Sequence, residues 1–453
     1  MDLSKRDHHC FISYASEDAA LARRLVGFLT AAGLSVWFDE DRLSAGAPVL
    51  DELTRQIWNS RAFLLVLTDT ALTKHYVKHE VDVACQQQVT QAGFALLAAR
   101  LDPKLDPTAR FPALTKLSWM NLPQDGELGV PAASQLLRSI TPGVKLAPDT
   151  RHMFVSCGWG ETEQPVTRRV CAPLTSRGVR LMGDAKDQKG FAEEGKDRVQ
   201  RIMSGCTGHV MVLPERRPPN KTPEETYKYF LSEWEISDRL RLARRVFCVS
   251  RSALPGRLQD EAIEIGDAAN LERQLVALHD ETEAVAPHVF LAADYKSRSV
   301  ADRNGEAQKI RNGEARKIIE HVLGMKCLSG DDYGGAEVSE GIVQMIIGAN
   351  LVFADLACGR DDSNRLAVNL NTCIEAGMAK GARRAVFLTA LDPKSFDPDV
   401  QEKTRQLPFM FRGGQIHWYS GPAEFLATMH RLAMLTRRRI LNDELAIGQA
   451  AAS

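Results

Sequence analysis

Cys10-Phe-Ile-Ser-Tyr-Ala-Ser-Glu-Asp18, running on to Gly33-Leu-Ser-Val-Trp-Phe-Asp-Glu40, decides how the rest of this 453-residue chain is read. Phe11 to Tyr14 is a short apolar run without polar alternation, the pattern of a parallel strand covered on both faces. Ser16, Glu17 and Asp18 read as a helix start, because a side-chain oxygen there can accept from free N–H groups and acids suit the positive helix end. Leu21, Leu25, Phe28, Leu29 and Ala32 fall on one helical face, and Gly33 is the stop. Leu34 to Phe38 is the second strand. It leaves Asp39 and Glu40 at its carboxyl end, the edge where open α/β sheets bind ligands.

The same outline returns twice, with a period of about 140 residues. First strands begin at Phe11, Phe154 and Phe290. Second strands follow Gly33, Gly178 and Gly324, and each ends in an acid: Asp39, Asp184, Asp331. Third strands at Phe63–Leu67, His209–Leu213 and Leu351–Leu356 are each followed by a helix with a glutamate: Glu80, Glu233 or Glu235, and Glu375. The alternation predicts an α/β chain of three small doubly wound parallel-sheet units in tandem, flavodoxin- or Rossmann-like. Their expected bounds are 1–145, 151–285 and 286–440, with the breaks at the two prolines of 141–150 and near 281–287. Residues 252–280 read as helical and close the middle unit, and Arg437–Arg439 read as a solvated helix end.

Composition narrows the function. Lys and Arg number 57 against 58 Asp and Glu, so no global field draws the chain to long nucleic acid or an anionic membrane. Nine scattered cysteines without a Cys-x-x-Cys pair read as reduced thiols of a cytoplasmic protein. No metal site is expected at His8, His9 and Cys10, since adjacent residues point apart. Neither a leader nor an apolar run of about 18 residues is present, so no membrane span is expected.

Tyr76 and Glu80 are four apart and share a helix face beside the Val77, Val81, Ala84 stripe, which puts a carboxyl at the border of the core. By spacing alone, Glu80 after Lys78 and His79 reads more readily as part of an exposed charged face than as a catalytic group. Phe-Ile-Ser-Tyr in the first strand, Gly-x-x-Val-Trp-Phe-Asp in the second, the Asp39–Pro48 loop with Gly46, Ile57 and Arg61, strand Phe63–Leu67 and a helix over Thr73–Gln88 resemble a TIR domain. In TIR domains that hydrolyse NAD, one glutamate of this helix is catalytic. The resemblance therefore implies NAD as substrate, no other cofactor, and Glu80 as the catalytic residue. By the same resemblance Ser13, Tyr14, Trp37, Asp39 and Tyr76 line the substrate mouth, Trp37 reading equally as a core residue, with Arg42 and Lys74 as phosphate contacts and the Ser44-Ala-Gly46 loop mediating assembly or gating the pocket.

In the middle unit, Gly158 and Trp159 follow the first strand as candidate ligand contacts. No catalysis is expected there, because Met182 and Gly183 replace the aromatic pair. In the third unit, Ala354-Asp-Leu356 followed by Asn369 and Glu375-Ala-Gly377 resembles the nucleoside 2-deoxyribosyltransferase-like group. Asp355, Glu375, Lys296, Arg298, Gly334 and Gly335 are its candidate ligand residues. A TIR domain fused to two such units resembles bacterial anti-phage effectors with a SAVED- or CARF-like sensor. That resemblance implies activation by a cyclic oligonucleotide or another nucleotide signal, through a homo-oligomer or filament. Two alternatives stay open: a non-catalytic TIR scaffold, and a nucleoside-processing enzyme in residues 286–440.

Overall fold

A computed structural model describes residues 6–38, 49–108, 110–112, 114, 119–122, 128–144, 151–184, 195–282, 288–294, 303–332 and 338–444. The first unit contains β1 (His8–Ser13), α1 (Ala19–Ala31), β2 (Val36–Trp37), α2 (Val49–Trp58), β3 (Ser60–Leu67), α3 (Asp69–Thr73), α4 (His75–Thr90), β4 (Ala95–Arg100), β5 (Trp119–Asn121) and α5 (Val130–Ile140). The second contains β6 (His152–Cys157), α6 (Gln164–Thr175), β7 (Arg180–Met182), α7 (Gly195–Ser204), β8 (Gly208–Leu213), α8 (Pro223–Thr226), α9 (Lys228–Arg239), β9 (Ala243–Cys248), α10 (Gly256–Gln259), β10 (Ala262–Glu264) and α11 (Ala268–Glu281). The third contains β11 (His288–Ala292), α12 (Arg303–Leu323), β12 (Lys326–Leu328), α13 (Val338–Gly348), β13 (Leu351–Asp355), the hairpin β14 (Ala357–Arg360) and β15 (Leu366–Val368), α14 (Leu370–Gly381), β16 (Ala385–Leu391), β17 (Ile416–Tyr419) and α15 (Pro422–Asp443).

Each unit has a five-stranded sheet of the same order: β2-β1-β3-β4-β5, β7-β6-β8-β9-β10 and β12-β11-β13-β16-β17. Every pairing within the three sheets is parallel. In this order the direction in which strands are added across the sheet reverses between the first and third strands, and the carboxyl-end crevice there is the ligand position. The first strands are buried on both faces, as their unbroken apolar runs require.

The structure corrects the sequence reading in several places. A fifth strand closes each sheet; the helical reading of 252–280 contains β10, and only α11 matches it at length. Helix 73–88 is two helices, α3 and α4, broken at Lys74, whose backbone is extended. No side chain caps α1; Asp18 instead accepts from Thr68 Oγ1 at 2.5 Å, which ties the first loop to the one after β3. Gly33 does end α1 as expected, with φ of +80°.

The largest departure is α15. The triple-arginine segment at its end is not merely solvated: Arg437 donates to Pro142 O at 2.9 Å. Phe425, Leu426, Met429 and Leu432 of α15 share one core with Leu25 and Leu29 of α1, Leu136 and Leu137 of α5, and Ile318, Ile319 and Val322 of α12. His430 is fully buried in that layer. Its Nδ1 lies 2.8 Å from Ala32 O, and its Nε2 lies 2.7 Å from Thr141 Oγ1. A carbonyl only accepts, so Nδ1 carries the proton and Nε2 accepts from the threonine. At its other end the helix reaches the middle unit, where Gly183 N donates to Asp443 O at 2.9 Å, Arg201 pairs with Asp443 at 2.7 Å, and Arg180 pairs with Glu444.

Burial lowers the His430 pKa to about 4. Its unfolded counterpart titrates near the ordinary 6.5, so the unfolded chain takes up the proton first. The stability His430 contributes is complete above about pH 6.5 and is lost as pH falls towards 4. Replacing it (His430→Gln) leaves Ala32 O or Thr141 without a matched partner, and is expected to lower unfolding free energy by about 1–3 kcal/mol at pH 7.5. The variant should also show a shallower loss of stability between pH 6.5 and 4. Urea melts at several pH values give both quantities, and an unchanged pH dependence would refute the assignment.

Candidate active site

β1 carries Ser13 to the carboxyl edge of the first sheet, and α4 brings Glu80 back over it. Val77, Val81 and Ala84 of α4 are buried against the sheet, and Glu80 lies on that same inward side, 4 % exposed. Ser13 Oγ donates to Glu80 Oε2 at 2.5 Å. The pair stands beside the crevice between β1 and β3, so the strand end and the helix supply one carboxyl held in a defined orientation.

Two contacts clamp the loop after β1 onto the start of α4. Tyr76 Oη accepts from Ser16 N at 3.1 Å, and Lys74 Nζ pairs with Glu17 at 2.5 Å. The lysine hydrogen bond holds Glu17 below the usual carboxylate range, and Lys74 is raised in return. Lys74, expected at a phosphate, thus closes the loop instead.

The aromatic residues sort by strand alternation, which the sequence reading did not resolve. Trp37 is 2 % exposed and stacks on its register partner Phe11, with centroids 4.6 Å apart and planes 8° apart. Phe11 in turn stacks on Phe63 at 5.6 Å. Trp37 is therefore a core residue and not part of the mouth. Tyr14, on the opposite face from Ser13, is half-buried and stacks on Phe38 at 5.0 Å. Asp39, Arg42 and the Ser44–Gly46 loop lie outside the described residues, as do Lys296, Arg298, Gly334 and Gly335.

In the middle unit Gly158 is buried and Trp159 half-buried against the core. A Cβ on Gly158 would stand 2.1 Å from Glu163 Oε2, so a larger residue there would displace that carboxyl. In the third unit the two candidate acids part company. Asp355 is fully buried, ion-paired to Arg311 at 2.8 Å, and accepts from Tyr419 Oη at 3.0 Å on both oxygens and from Thr389 Oγ1 at 3.2 Å. Burial raises its pKa, opposed by Arg311 and the tyrosine and threonine hydrogen bonds. With its lone pairs occupied inside the protein, Asp355 is a packing residue and not a ligand contact. Glu375 is half-buried near Gly330, and burial pushes its pKa up to about 7. The sequence reading missed the roles of Arg311 and Tyr419, because nothing in their local spacing points to a carboxylate 44 or 64 residues away.

A sequence model of the family described as "TIR domain" matches residues 10–137. Among solved structures the chain is similar to the TIR domain of the Toll-related receptor TRR-2 from Hydra magnipapillata. Identity is 16 % and the TM-score is 0.22, covering 25 % of this chain and 83 % of that one. No curated protein matches the chain. The described residues contain no helix long and apolar enough to cross a membrane.

Asp355→Ala leaves Arg311 buried and unpaired, and is expected to cost about 3–5 kcal/mol. Denaturant unfolding of the full chain measures this. A cost below about 1 kcal/mol would mean that the carboxylate is not the structural partner described here.

Proposed function

We propose that the N-terminal TIR domain hydrolyses the nicotinamide–ribose bond of NAD, with Glu80 as catalytic residue. The observation that carries this reading is the Ser13–Glu80 hydrogen bond at 2.5 Å, beside the crevice between β1 and β3. Cleavage of this bond expels neutral nicotinamide from a ring that begins cationic, so the leaving group needs no proton. Positive charge develops on the ribose as the bond lengthens. A carboxylate beside it stabilises that charge, as in glycoside hydrolysis. Ser13 acts as a positioning residue: its O–H fixes the rotamer of the Glu80 carboxyl. No cofactor beyond the substrate is required.

The burial of Glu80 supports a switched enzyme. At 4 % exposure the carboxyl meets a ribose only after the mouth rearranges. An activating event must then favour the open form by differential binding. In this reading a nucleotide signal bound by the second and third units drives self-association, and the TIR mouth opens in the assembly. Because α15 joins the first unit to both others, a change in either downstream unit has a mechanical route to α1 and β1.

The test is NAD consumption by the purified chain, with and without a panel of cyclic di-, tri- and tetranucleotides. Wild type should consume NAD when the right nucleotide is present. Glu80→Gln should reduce turnover by about 100-fold or more at unchanged melting temperature, and Ser13→Ala should lower kcat by roughly tenfold. Undiminished turnover in Glu80→Gln would remove Glu80 from the chemistry. Absence of turnover under every condition would favour a non-catalytic TIR scaffold.

A further inference from the structure

The repeat places a glutamate at the sixth residue of the helix that precedes the fourth strand of the sheet in every unit: Glu80 of α4, Glu233 of α9 and Glu375 of α14. It also places a serine two residues after the first-strand phenylalanine in two of them. Ser13 follows Phe11, and Ser156 follows Phe154; the third unit has Ala292 after Phe290. Register agrees, since Phe11 pairs with Phe63 where Phe154 pairs with His209. The middle unit therefore holds the same serine and glutamate as the candidate active site, with a histidine where the first unit has phenylalanine.

Glu233 is a buried carboxyl with one oxygen lacking a donor. The side chain is 3 % exposed, and its Oε2 has no hydrogen-bond partner. Ser156 Oγ is held at 2.7 Å by His209 Nε2, a fully buried ring. Half-exposed Tyr229 forms the outer wall and donates to Asp184 Oδ2 at 3.2 Å, and Asp184 pairs with Arg198. A buried carboxyl oxygen without a donor is costly, and a ligand that supplies the donor recovers that cost.

We propose that the middle unit has a ribosyl-binding site, in which the Glu233 carboxyl accepts the cis-diol of a ribonucleoside or ribonucleotide. An acid at the carboxyl edge of a doubly wound sheet is well placed to take ribose hydroxyls. The neighbouring glycine turn excludes the other common mode. There Gly160 N donates to Glu163 Oε2 at 3.0 Å, while Arg216 donates to Glu163 Oε1 through Nε at 2.8 Å and Nη2 at 2.7 Å. Glu163 thus occupies the place a phosphate takes at such a turn, so recognition falls to the sugar. The ligand class rests on the nucleotide-sensing reading above; the location does not.

Protonation gives the site a second signature. Burial pushes the Glu233 pKa up to about 7, hydrogen bonding of the carboxyl by Ser156 and Tyr229 opposes the shift, and the charge of Asp184 adds to it. Cys157 lies close enough to feel the same charge, and His209, lowered to about 3, stays neutral. Accepting two hydroxyls requires the carboxylate, so binding releases a proton near neutral pH and weakens as pH falls below about 7.

The experiment is calorimetric titration of the full chain carrying Glu80→Gln, with the four common ribonucleosides, each beside its 2′-deoxy counterpart. At least one ribonucleoside should bind. Its 2′-deoxy form and the added Glu233→Gln substitution should each weaken it by at least about tenfold, and buffers of different ionisation enthalpy should reveal proton release at pH 6.5. Tyr229→Phe, at the rim, should bind with a smaller loss, and thermal melts should show both variants folded. Equal affinity for the ribo and deoxy forms, binding unaffected by Glu233→Gln, or no binding by any probe overturns the proposal. Binding seen in wild type but absent with Glu80→Gln would place the ribose in the first unit and overturn it as well. Since NAD turnover is not the readout, failure of the hydrolase reading leaves this result interpretable.

Discussion

A five-stranded sheet with helices on both faces can stand alone, yet the first and third units here share apolar surface across a single helix. Phe425, Leu426, Met429 and Leu432 of α15 fill the space between α1 and α5 on one side and α12 on the other. Burying such side chains contributes about 1.5–3 kcal/mol each, so separation of these units would expose a substantial apolar layer. Two histidines cross-link that layer. His430 joins the end of α1 to Thr141 after α5, and His321 of α12 lies 2.7 Å from Thr141 O. The helix then ends on the middle unit through Asp443 and Glu444. The arrangement couples three sheets through one rigid element, which is the kind of part a two-state rearrangement requires.

Repetition of one plan has produced three carboxyls in one topological place and three different environments. Glu80 is held by the hydroxyl of Ser13. Glu233 has an oxygen with no donor beside a serine engaged by histidine. Glu375 is half-buried with no serine on the first strand, and burial is the cause of its raised pKa. The fold supplies the position, and the residues of the first and third strands decide what each carboxyl can do. The loop clamp is also repeated in kind: Lys74–Glu17 in the first unit and Arg216–Glu163 in the second join the loop after the first strand to the segment after the third.

Much of this was legible in the chain. The apolar runs at Phe11, Phe154 and Phe290, the glycines after each first helix and the recurring glutamates require no tertiary information, because strand and helix periodicities are local properties. The fifth strands were not legible: three or four residues at a sheet edge carry too little pattern. Nor could local spacing separate Trp37 from Phe38, since a strand sends neighbours to opposite faces and the partner helices decide which face is sealed. Arg437 looked like part of a solvated terminus and instead reaches the Pro142 carbonyl of the first unit.

The amino-acid sequence by itself determined the number of units, their parallel α/β class and the positions of the three glutamates, since these follow from residue type and period along the chain. Only the tertiary structure decided that Asp355 is sealed by Arg311 and Tyr419 and that Ser13 faces Glu80. It alone also decided that α15 binds all three units together. The physical reason is that burial, charge compensation and hydrogen-bond partnership belong to pairs of residues. In this chain those partners lie from tens to hundreds of residues apart.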